Sequence, residues 1–195
     1  MQRLSIAQSV GLAANTLRRI ACVASAAGLV AGAATAADSA SEAAVKAAFV
    51  YNFAKFIQWQ PDATGAARNY VRICTAGIDT QLADGIAALE GKPVQSRIVA
   101  VRRDAKAADL DTCNVLLVGS GTRTLADDAR ERTGLLTVSD VRGFAAAGGI
   151  IELFIEDGKV RFEINTRAAQ RAGLTISSQL LKLARVTPEQ QGATR

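Results

Sequence analysis

Histidine is absent from the 195 residues. That removes Ser-His-Asp triads, Cys-His pairs and histidine-based zinc sites together, because each needs an imidazole to move a proton or hold a metal. No Gly-x-Ser-x-Gly elbow and no Walker phosphate loop occurs. Aromatic residues make up only 5% of the chain and are not interleaved with basic ones, so the stacking platform of a single-strand nucleic-acid binder is missing. The longest apolar stretch, Ile20 to Ala31, falls short of the roughly 20 residues that cross a bilayer. Cysteine is scarce as well: Cys22, Cys74 and Cys113 are the only three. Without histidine or a further thiol, they offer no metal site.

What is present begins with a leader. Residues Met1 to Ala36 carry Arg3, Arg18 and Arg19 and no acid, then the apolar stretch, then Ala34-Thr35-Ala36. A basic region, a short apolar core and a small-x-small site are the pattern of a secretory signal peptide. Residues 1–36 are therefore expected to be a signal peptide cleaved near Ala36, and residues 37–195 the exported α/β domain. Retention of the leader as an anchor is the alternative. Arg19, three places before Cys22, speaks against a lipoprotein signal, and no bulky apolar pair follows Arg18-Arg19 as a twin-arginine signal requires. Three of the five net positive charges lie in the leader, so the rest is only weakly basic and its charge implies no nucleic-acid partner. No direct membrane insertion is expected once the leader is removed.

Cys74 and Cys113 remain after cleavage, and in an oxidising compartment two lone cysteines are expected to pair. Two free buried thiols on neighbouring strands are the other reading. A bridge closing a loop of about 40 residues stabilises by roughly 3–4 kcal/mol on the chain-entropy model.

Ser39 or Ser41 is expected to cap a helix running to about Trp59, with Val45, Phe49, Asn52, Phe53, Phe56 and Ile57 at helical spacing. Gln60-Pro61-Asp62 is a stop signal. Strands are expected at 70–75, 97–103, 114–119 and 135–139, alternating with helices at 80–90 and 122–132 and a helical turn at 104–108. That alternation predicts crossover units and a mostly parallel sheet. Segments 150–156 and 159–165 flank Asp157-Gly158, a strong hairpin signal, and short helices at 166–172 and 178–184 follow. The fold class is a single three-layer α/β domain: a mostly parallel sheet flanked by helices, with an antiparallel C-terminal hairpin. In such a sheet, Cys74 at the end of its strand and Cys113 just before its own would lie at opposite ends. A bridge then requires a shifted boundary or a loop that folds back.

The acidic pairs Asp127-Asp128 and Glu156-Asp157 fall on a helix face and a turn, where solvated charge is expected. Gly119-Ser120-Gly121 between strand and helix, with Asp140 ending the next strand, is similar to a dinucleotide fingerprint. Thr124 replaces the third glycine, however, and glycine-rich strand-to-helix turns are common in α/β domains. No cofactor is expected.

The most distinctive features are Tyr51–Phe56 (YNFAKF), Gly143–Gly149 (GFAAAGG), Arg161–Asn165 (RFEIN) and Gly173–Ala184 (GLTISSQLLKLA). Together they resemble the YfiR-like family of small periplasmic α/β proteins, across nearly all of the mature chain. The resemblance implies no enzyme but a regulator. Its partner would be an inner-membrane diguanylate cyclase, inhibited or modulated through contact with the periplasmic sensing domain. It also implies a Cys74–Cys113 pair. A second cysteine pair carried by some members is absent, so redox regulation through it does not transfer. A homodimer stays open, as does a periplasmic small-ligand-binding or sensor role, with the 143–149 turn and the first helix framing a pocket. The expected partner surface is Phe144, Glu163, Leu174, Ser177 and Gln179. Period-two spacing sends Phe162 and Ile164 to the core and Glu163 to the outer face, where ordinary solvated charge is the alternative. Phe144 and Leu174, each beside glycine, are expected to be exposed apolar anchors.

Overall fold

The computed structural model describes residues 33–59 and 69–186, with side chains from Glu42 onward. Most of the expected leader, the Gln60-Pro61-Asp62 stop and the tail after Pro188 lie outside these residues. The chain divides into two compact units, Met1–Asp38 and Ser39–Arg195. Of the first, only the helical backbone from Ala33 is described, and the second holds the α/β domain.

Its helices are α1 (Ala33–Phe56), α2 (Thr80–Ala87), α3 (Arg123–Arg130), α4 (Thr166–Arg171) and α5 (Ser178–Leu181), with a 3-10 turn at Ala107–Thr112. The strands are β1 (Ile57–Trp59), β2 (Tyr70–Ala76), β3 (Pro93–Val94), β4 (Arg97–Arg102), β5 (Val115–Val118), β6 (Leu136–Ser139), β7 (Ile151–Glu156), β8 (Lys159–Ile164), β9 (Leu174–Ile176) and β10 (Arg185–Val186). The main sheet runs β10-β8-β7-β6-β5-β2-β4-β3. Neighbours from β4 to β7 are parallel, and β7–β8 is the antiparallel hairpin. Its turn residues Asp157 (φ 51°) and Gly158 (φ 68°) are both left-handed, the backbone that two-residue hairpins require. The expected mixed α/β architecture, mostly parallel with a C-terminal hairpin, is what forms.

Alternation along the strands builds two cores. Val71, Ile73, Val115, Leu117, Leu136 and Val138 meet α1 and α2 on one face. Cys74, Leu116 and Val118 meet Leu110, Ala126 and Ala129 on the other. β5 and β6 are buried throughout, as central parallel strands are. Phe53 and Phe49 of α1 pack on Phe162, with ring centroids 5.1 and 5.4 Å apart. A Cβ on Gly85 of α2 would stand 3.2 Å from Ala47 Cβ, so these two helices approach closely.

Two expectations at the first helix are corrected. It begins at Ala33, upstream of Ser39 and Ser41, so neither is its cap. It also ends at Phe56, because Ile57, Gln58 and Trp59 pair antiparallel with Ile176, Thr175 and Leu174. Long-range pairing overrides the helical spacing there. The conflict over the cysteines resolves through both routes foreseen. β2 continues to Ala76, and Cys113 ends the 3-10 turn that lies over the second core. The bridge Cys74–Cys113 forms across a Cα–Cα distance of 5.9 Å.

Candidate functional site

The glycine-rich turn of the sequence motif is held from below by β7 and β8. Both carboxylate oxygens of Glu152, on β7, accept backbone N–H groups: Oε1 from Gly143 and Oε2 from Ala145, each at 3.1 Å. Asn165, just after β8, donates from Nδ2 to Ala145 O at 2.8 Å. Its Oδ1 accepts from Ala168 N at 2.9 Å, capping α4. Phe144 turns inward, and a Cβ on Gly149 would overlap its ring. Two of the motif segments, Gly143–Gly149 and Arg161–Asn165, therefore meet in one structural lock.

The expected partner residues divide. Phe144 is 6% exposed and packs in the second core, and Leu174 is 4% exposed and packs in the first. Neither is an exposed anchor, because the turn folds Phe144 inward and Leu174 pairs with Trp59 in the small sheet. Ser177 is half-buried and caps α5, its Oγ accepting from Leu180 N at 3.3 Å. Gln179 is exposed. Glu163 is half-buried on the outer face of β8, in register with Glu152 on one side and Arg185 on the other. On that face Arg185 lies over Phe154 at 4.7 Å from the ring centroid and pairs with Glu156 at 2.5 Å. Arg161 lies opposite Phe154. The geometry groups Glu163 with Phe154, Arg161 and Arg185 rather than with Phe144 or Leu174.

An open cleft of about 430 Å³ lies between α1 and the start of α2, lined by Glu42, Ala43, Lys46, Asp79, Thr80 and Gln81. Lys46 Nζ bonds Asp140 at 2.7 Å and Glu42 at 2.8 Å. Burial acts to lower the Lys46 pKa, but the bonds and charges of Asp140 and Glu42 outweigh it and hold the ammonium above its ordinary value. The 143–149 turn does not line this cleft. The Glu42–Lys46 pair is legible as an i,i+4 spacing. Asp140 carried no local sign of its role as the third member.

The dinucleotide-like turn has a structural explanation. A Cβ on Gly119 would overlap the carbonyl of Gly77, so this glycine permits two loops to touch at the ends of β2 and β5. Asp140, which would hold a ribose, is engaged by Lys46. Asp127 pairs with Arg130, and Glu156 with Arg185.

A search of curated proteins finds no match. Among solved structures, the chain is similar to the ABC domain in complex with L-Trp from Streptococcus pneumonia, at 12% identity, 60% of this chain, 55% of that one and a TM-score of 0.44. It is also similar to a conserved domain protein from Vibrio cholerae, at 13% identity, 74% of this chain, 60% of that one and a TM-score of 0.44. The chain thus spans little more than half the length of either, and likenesses this distant carry no weight for function. The family scan is more specific, matching residues 43–185 to the YfiR/HmsC-like description. With that much of the sequence matched, from Ala43 of α1 to the start of β10, the protein belongs to the YfiR/HmsC-like family.

Proposed function

We propose that this chain is a periplasmic regulatory protein that inhibits or modulates an inner-membrane diguanylate cyclase by protein–protein contact. The observation that carries the reading is the family match over residues 43–185. The signal-peptide pattern of residues 1–36 supports export, with residues 37–195 as the working domain. The absence of histidine from the whole chain supports action by contact rather than catalysis. Among the described residues no helix is long and apolar enough to cross a membrane. The face bearing Glu163, Arg161 and Phe154 is the proposed contact for the cyclase, with Ser177 and Gln179 at the neighbouring end of the chain.

The test measures cellular cyclic-di-GMP after deletion of the gene and after complementation. Deletion raises the level, wild-type protein restores it, and Glu163→Lys, folded by circular dichroism, fails to restore it. Unchanged cyclic-di-GMP on deletion overturns the reading. A small-ligand-binding or sensor protein is the second reading, favoured by the open cleft beside Lys46. Adjacent genes separate the two: a membrane protein with a cyclase domain supports the first, a transport operon the second.

A further inference from the structure

α1 ends without the usual local signal. Helices commonly close on a glycine or asparagine in the left-handed region, which turns the last carbonyls back onto the chain. Here Phe56 runs straight into Ile57, Gln58 and Trp59, none of which lies in that region. The last carbonyls of a helix have no partner within it, and in α1 two distant segments meet them. Gln95, at the turn between β3 and β4, places its Nε2 3.3 Å from Ala54 O, 3.3 Å from Lys55 O and 2.9 Å from Ile57 O. Ser177, which follows β9, donates its backbone N–H to Phe56 O at 3.1 Å.

Gln95 itself has a left-handed backbone (φ 52°). A non-glycine residue keeps such a conformation only where its surroundings impose it. Its Oε1 accepts from Arg97 at 3.3 Å, so both ends of the side-chain amide are engaged. Backbone strain and the cap of α1 therefore meet in one residue.

Residues 57–59 fit either of two structures. As a strand they pair with Ile176, Thr175 and Leu174, in a small sheet that holds β1 and β9 alone. As a helix, Ile57 would continue the stripe of Phe53 and Val50, four and seven positions earlier. All three side chains are fully buried, so Ile57 belongs to the core in both states. Pro61 sets the limit, because proline disfavours helix at the residue before it. That leaves room for these three residues, about one further turn. In the helical state Phe56 O bonds forward along α1, Ser177 N loses its acceptor, and β9 loses its partner strand.

We propose that residues 57–59 are a two-state element, either a strand on β9 or a further turn of α1. Gln95 holds the strand state, and conversion frees the segment that carries Ser177 and Gln179. A partner that prefers one arrangement of Ser177 and Gln179 shifts the balance by its difference in affinity for the two. That consequence rests on the contact function proposed above, but no cyclase enters the test, so either can fail alone.

Hydrogen exchange at the Ser177 amide reads the balance directly, because its bond to Phe56 O belongs to the strand state. Gln95→Gly keeps the left-handed turn without strain and deletes the side-chain bonds. It should quicken exchange at Ser177 at least tenfold, while the amides of β5 and β6 exchange as in the wild type. The Cα chemical shifts of Ile57 and Gln58 should move from strand toward helix values. Gln58 is exposed, so its replacement acts through backbone propensity. Gln58→Ala should quicken exchange at Ser177 and Gln58→Thr slow it, each about twofold. This pair decides the matter if Gln95→Gly does not fold. Unchanged exchange at Ser177 in Gln95→Gly, or quickening spread over the whole domain, overturns the proposal. So do shifts at 57–58 that move to coil values, or a Gln58 pair that moves exchange in one direction.

Discussion

Phe144 and Gly149 share one space: the phenyl ring lies where a Cβ on Gly149 would stand, and Gly149 N donates to Phe144 O at 2.9 Å. Gly149→Ala must therefore displace a buried ring, at a cost of about 1–3 kcal/mol for overpacking. Phe144→Ala leaves a cavity in the second core and costs about 3–5 kcal/mol. Urea unfolding checks both values. A Phe144→Ala protein of unchanged stability would show that the ring is not packed as described.

Glu152 stands between the turn and the hairpin face. Glu152→Ala leaves the N–H groups of Gly143 and Ala145 without their acceptor, at about 1–3 kcal/mol for each group left buried. Hydrogen exchange should quicken at those two amides first, while the amides of β5 and β6 stay protected. Uniform loss of protection would instead mean that Glu152 supports the whole domain.

The Cys74–Cys113 bridge spans 39 positions and should be structural rather than switching. Replacing both cysteines with serine lowers stability by about 3–4 kcal/mol, read as a drop of several degrees in Tm, and leaves the proposed repression of a cyclase in place if the domain folds. A free-thiol assay on the native protein should find neither cysteine reactive.

The Lys46 bonds predict an alkaline dependence. The folded-state pKa is raised, so the stability they supply is fully present below the unfolded value, about 10.4. It is lost as pH rises through the folded value. The wild type should exceed Lys46→Met in unfolding midpoint at pH 7, and the gap should narrow above pH 10. A gap that widens with pH would reverse the assignment.

Much of the architecture was legible because its signals are local. Asp157-Gly158 announces its hairpin through the backbone freedom of two residues, and the apolar run at 115–118 announces a strand buried on both faces. Ile57–Trp59 was not legible as a strand. Three residues continuing a helical apolar spacing carry no strand period, and only Leu174–Ile176, far along the chain, makes them one.

The sequence by itself determined the alternation of strands and helices, the hairpin, the exclusion of histidine chemistry and the family motifs, since each depends on neighbours within a few positions. Tertiary structure alone decided what those motifs touch. Phe144 and Leu174, apolar and beside glycine, looked suited to the surface. They are buried because Glu152 and Asn165 draw one turn inward and β1 claims the other strand. Cations seated on aromatic rings divide in the same way: Tyr51–Lys55 is a helical spacing and Tyr70–Arg72 a strand spacing, whereas Trp59 meets Arg97 only after the chain has folded. Contacts between distant segments depend on how whole elements pack, and the local pattern of residues does not encode that packing.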